Sequence, residues 1–176
     1  MRTLLMVLAF GLSAGPASPA TQVATAPLPH VRPLDPLAAE LVRTGSNTSQ
    51  TFARLLATID HGGAVVVYVT TSGPVDGRGS IAFVTRAGGI TYLLVRVNSR
   101  QSIPDRVAVL AHELTHAAEI SAVDPPISSE RELARLYACI GIDSSGRHLE
   151  SEAALQAERA VHHEIAKAAT PDPAQR

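Results

Sequence analysis

The stretch from Pro104 to Ile120 constrains this chain more than any other. It opens on Pro104, which suits the first turn of a helix because it lacks an amide hydrogen. It then runs through Val107-Ala108-Val109-Leu110-Ala111 into His112, Glu113, Leu114, Thr115 and His116. The apolar run predicts a helix over 104–120 that is buried on most of its surface. Two imidazoles and a carboxylate inside such a helix are costly unless something pairs with them. His112 and His116 are four residues apart, just over one turn, so they project from one face. They can hold one Zn²⁺, while Glu113, about 100° round the helix, is placed as a general base toward water. The pattern H-E-x-x-H has only three fixed positions, and it is the apolar setting that gives it weight.

A third protein ligand is then required. Candidates are Glu119, Glu130, Glu132, Asp143, His148, Glu150, Glu152, Glu158, His162 and His163. A third histidine at the H-x-x-H-x-x-G-x-x-H spacing is missing, because Glu119 stands where the glycine would be. A last helix is predicted over about 149–168. On it Ala154, Ala157, Val161 and Ile165 fall within about 60° of Glu150. Glu150 thus heads a core-facing stripe, where a carboxylate needs a cation partner. Glu152 falls on the opposite face, and Glu158, about 80° round, lies at the margin. His162 and His163 read as exposed.

The rest of the chain reads as one domain over 35–169. Residues 1–20 have the layout of a secretory signal peptide: Arg2, an apolar run from Leu4 to Leu12, and small residues ending in Ser18-Pro19-Ala20. The run is too short to span a bilayer. The expected location is therefore outside the cytoplasm, periplasmic or secreted, with no stable membrane anchor. Residues 21–34 form a Pro-rich linker or arm, and 170–176 a loose tail. Asp35-Pro36 opens a helix that Gly45 is expected to end, and a second helix covers 48–60. Strands follow at 64–70, 80–86 and 90–97, the last two as a hairpin over Ala87-Gly88-Gly89. Ser129-x-x-Glu132 is a capping box for a helix over 129–140. The expected class is α+β, with an antiparallel sheet and segregated helices.

Composition excludes several functions. Lys+Arg is 15 and Asp+Glu 16, with no basic block, which argues against a nucleic-acid partner. Aromatic residues are only 3 % and Trp is absent, so stacking platforms for bases or sugars are not expected. The single cysteine, Cys139, cannot form an internal disulfide or a cysteine-type zinc site. Flanked by Tyr137-Ala138 and Ile140, it is expected to be buried.

His112–His116 followed by Glu150-Ser151-Glu152-Ala153 resembles the gluzincin metallopeptidases, in particular their minimal members. The resemblance implies a zincin-like fold: a small antiparallel sheet with a hairpin, packed on the active-site helix, and further C-terminal helices. It implies Zn²⁺ held by His112, His116 and Glu150, Glu113 as general base, and a peptide or protein substrate. Residues 90–98 (ITYLLVRVN) look like the family's edge strand, which binds peptide by strand addition. One departure stands out. Many relatives carry Asp one residue after that alanine, where it supports a metal-binding histidine; this chain has Ala154. Glu119, on the same helix face as His112, is a candidate for that supporting role, and Tyr137 or His148 for an oxyanion stabiliser. The expected function is an exported zinc metallopeptidase. The second reading is a catalytically idle zincin-like domain that binds peptides or a protein partner.

Overall fold

The computed structural model describes residues 29–73, 75, 77–143 and 149–170. The expected signal peptide, residues 21–28 of the arm, His148 and the tail from 171 lie outside them. In chain order the elements are β1 (Val31–Pro33), α1 (Pro36–Thr48), α2 (Gln50–Gly62), β2 (Val65–Thr70), β3 (Gly79–Ala87), β4 (Ile90–Val97), α3 (Ile103–Ser121), α4 (Glu130–Ile140), β5 (Ile142–Asp143), β6 (Leu149–Glu150) and α5 (Glu152–Ala169). The class is α+β, as expected. No helix among the described residues is long and apolar enough to cross a membrane.

The histidine-bearing helix is α3, capped by the Ser102 hydroxyl, which accepts from the Asp105 amide. Every residue from Val107 to Ala117 is buried. The sheet covers one flank of α3, and α1, α2 and α5 cover the others. A helix enclosed in this way must be apolar nearly all round. The α5 stripe of Ala154, Ala157, Val161 and Ile165 is buried as the spacing predicts.

The sheet corrects the sequence reading. Its order is β1-β2-β4-β3, and it is mixed rather than antiparallel. β1 and β2 are parallel, as are β2 and β4, and only the β3–β4 hairpin is antiparallel. Consecutive strands usually neighbour one another, but β2 does not pair with β3. Instead the chain passes β4's place and returns. β4 is apolar on both faces, which suits an interior strand with two neighbours. So β4 is not the edge that the resemblance suggested; β3 is. A bulge at Phe83/Thr85 leaves Val84 on this edge 52 % exposed.

Three further expectations change. The end of the Pro-rich arm is a strand: Val31–Pro33 lies on the opposite sheet edge, where a proline without an N–H is tolerated. Gly45 does not end α1, which runs on to Thr48. A Cβ at Gly45 would stand 2.7 Å from the Phe52 ring, so this glycine lets α1 and α2 approach. Cys139 is exposed, because peripheral α4 buries only Leu133.

Two carboxylates tie distant elements together. Asp35 caps α1 through the Ala38 amide and also accepts from the Thr70 hydroxyl and from the Thr71 amide and hydroxyl, all at 2.8–2.9 Å. Glu164 of α5 accepts from Ser49 Oγ at 2.6 Å, Thr51 Oγ1 at 2.8 Å and the Thr51 amide at 3.1 Å, at the N-terminus of α2. Partial burial works against the Glu164 charge, but these donors outweigh it and hold its pKa below the usual 4.5.

Gly45→Ala is expected to destabilise by about 1–2 kcal/mol, the overpacking against Phe52 exceeding the gain in helix propensity. Urea unfolding measures this, and an unchanged midpoint would refute the packing account. Glu164→Gln is expected to cost about 1 kcal/mol at neutral pH. Because the folded pKa is depressed, this stabilisation exists above the ordinary carboxylate pKa and fades as pH falls through the folded value. Wild type and Glu164→Gln should therefore converge in stability once the pH falls below the folded Glu164 pKa.

Candidate metal centre

His112 and His116 emerge from α3 one turn apart, with side chains 9 % and 6 % exposed. Their rings meet edge to face, and their Nε2 atoms are 3.2 Å apart. Glu150 does not sit in the helix that the stripe argument assumed. It ends the two-residue strand β6, and Ser151 caps α5 behind it through the Ala154 amide. Its position one residue before the cap still aims the carboxylate at α3. Glu150 Oε2 lies 2.6 Å from His112 Nε2 and 3.6 Å from His116 Nε2.

These three atoms form a donor set for a metal ion. Zinc bonds of 2.0–2.1 Å in a tetrahedron place ligand atoms about 3.3 Å apart, and the three separations straddle that value. The far ring nitrogens face carboxylates. His116 Nδ1 is 2.9 Å from Glu119 Oε2 and donates to it, so its Nε2 presents a lone pair inward. Glu119 also accepts from the Ser151 hydroxyl. His112 Nδ1 is 3.1 Å from Glu158 Oε2, an ion-pair distance too bent for a well-formed hydrogen bond. Two imidazole nitrogens and a carboxylate oxygen thus converge beside a buried helix, and a cation shared among them makes that favourable. A proton or a metal can fill the role. Burial works against a charged His112, but Glu150 and Glu158 overcome it and push its pKa up to about 10. The same histidines hold Glu150 well below the carboxylate range.

Glu113 is not one of the three converging donors and is 7 % exposed. Burial raises its pKa to about 7, against the opposing pull of His116 and His112. It lies under the start of β3. A Cβ on Gly79 would come within 2.7 Å of Glu113 Oε1 and 2.6 Å of Val109 Cγ1. Only a residue without a side chain allows the strand this close.

The other candidates lie elsewhere. Glu130 accepts from the Phe83 amide and Glu132 from Ser128. Glu152 is exposed and pairs with Arg159, and His162 pairs with Asp105 at 3.3 Å. His163 is exposed. Tyr137 stacks edge-on against His116, its hydroxyl 3.4 Å from the His116 carbonyl oxygen. It serves as a wall for that ring, while His148 and the Asp143 side chain fall outside the described residues. Glu119 takes the supporting place at His116. Glu158, a ligand candidate at the stripe margin, lies instead behind the His112 ring. Arg78 and Gly79 were missed and had no signal, because only the sheet order brings them here. No family model matches the chain, and neither the curated proteins nor the solved structures give a match.

The purified chain is expected to take up about one zinc, measured by elemental analysis after dialysis. Glu150→Ala should weaken binding by more than about 100-fold, beyond the loss typical of an outer partner, and Glu152→Ala should leave it unchanged. Equal zinc affinity in wild type and Glu150→Ala would exclude Glu150 as a ligand.

Proposed function

We propose that this chain is a small zinc metallopeptidase of zincin-like fold, with His112, His116 and Glu150 as metal ligands and Glu113 as general base. The observation that carries the reading is the convergence of three inward donor atoms beside a separate, buried carboxylate. A binding site alone has no use for Glu113, whose burial is costly. The signal-peptide layout of residues 1–20 supports export of the mature enzyme.

Zinc would supply Lewis acidity toward a peptide carbonyl and toward water. The protein's own part is proton handling and placement. Glu113, with its pKa raised to about 7, can take a proton from the attacking water and return it to the departing amine near neutral pH. Apolar packing around α3 keeps the carboxylate dry and strengthens its electrostatic effect. Glu119 orients the His116 ring. The free edge of β3 runs past Glu113, so an extended peptide can add there as a further strand. One amide on that edge, Phe83, is already taken by Glu130.

The test is cleavage of a peptide library by the zinc-loaded chain. Glu113→Gln should retain zinc and lose about 10²–10⁴ of the rate. Full activity in that variant would remove the hydrolytic role assigned to Glu113. Cleavage by neither protein, with zinc bound in both, would favour the idle peptide-binding domain. Gly79→Ala, which pushes on the Glu113 carboxylate, should keep zinc and lower kcat at least about 10-fold.

A further inference from the structure

Ala154 leaves the expected supporting carboxylate absent, yet the Nδ1 of His112 is not without company. It is buried, makes no well-formed hydrogen bond, and has Glu158 Oε2 at 3.1 Å. Glu158 stands one turn after Ala154 on α5, within about 40° of it round the helix. The other oxygen of Glu158 is bound by Arg78 Nη1. Arg78 is anchored through its backbone: its carbonyl accepts from the Asn98 amide at 2.9 Å and from Gln101 Nε2 at 3.0 Å. A carboxylate with one oxygen on a guanidinium and the other facing a ring nitrogen at 3.1 Å has little freedom to rotate. It holds the His112 ring with Nε2 turned toward Glu150.

We propose that Glu158 is the positioning residue for His112, replacing a carboxylate at 154, and that Arg78 clamps Glu158 so that the start of edge strand β3 is mechanically tied to a metal ligand. This rests on the metal-centre reading above. The two histidines are then supported differently. His116 relies on Glu119 of its own helix, whereas His112 relies on α5 and, through Arg78, on the sheet. Partners of this kind typically change metal affinity 10- to 100-fold by orienting the ring and raising its basicity.

The experiment is zinc affinity by chelator competition for wild type, Glu158→Gln, Arg78→Gln and the double variant, with the thermal midpoint of each metal-free protein. Glu158→Gln should bind about 10- to 100-fold more weakly. Arg78→Gln should lose less, and the double variant no more than Glu158→Gln alone, because Arg78 acts only through Glu158. Metal-free midpoints close to wild type would separate positioning from a general loss of stability. Wild-type affinity in Glu158→Gln overturns the proposal, and fully additive losses overturn the role of Arg78. If the wild type takes up no zinc, it is the metal-centre reading that fails. The positioning claim is then decided by ¹⁵N NMR of the His112 ring in the metal-free chain. A proton on Nδ1 that is perturbed in Glu158→Gln upholds it, and identical ring spectra in the two proteins overturn it.

Discussion

The rest of the structure answers to one constraint: two imidazoles and a carboxylate turned toward one another at a buried helix. His112, His116 and Glu150 bring their donor atoms within 3.6 Å of one another. In water such a cluster would spread apart. Here α3 is enclosed from Val107 to Ala117, and the side chains have nowhere else to go. The arrangement is tolerable only with positive charge at its centre. Everything nearby serves that need, from the carboxylates behind each ring to the cap that starts α5 immediately after Glu150.

The sheet contributes more than a floor for α3. Two adjacent residues at the entry to its edge strand have different uses. Arg78 holds the carboxylate behind His112, and Gly79 lets the backbone lie against Glu113. One short segment therefore reaches both the carboxylate behind His112 and the separate acid. The elements that approach the site are joined elsewhere by ordinary buried polar links. Asp35 fastens the end of β2 to α1, and Glu164 fastens α5 to the start of α2. These links hold α5, and with it Glu158, in register against α3.

Local signals were legible where one element decided the outcome alone. The helix caps at Asp35 and Ser129, the first-turn Pro104, the hairpin at Gly88-Gly89 and the buried stripe of α5 all depend on neighbours within a turn or two. Gly45 was misread because a helix-breaking residue and a packing glycine look alike until Phe52 is brought beside it. Cys139 was misread because the apolar residues near it lie on a helix that stays peripheral. The antiparallel sheet and the edge position of β4 were misread because periodicity shows that a strand exists but not which one it pairs with or in which direction.

By itself the sequence singled out His112, His116 and Glu150, the three residues that the fold brings together. Polar groups placed four apart in an apolar helix, and a carboxylate at the head of an apolar stripe, already demand a shared cation. Only the tertiary structure decided how those groups are held. The parallel β2–β4 pairing puts β3 at the edge, which brings Arg78 to Glu158 and Gly79 to Glu113 across about 80 and 34 residues of chain respectively. Such contacts depend on loop closure and strand order. These are settled by the packing of the whole chain rather than by any local pattern.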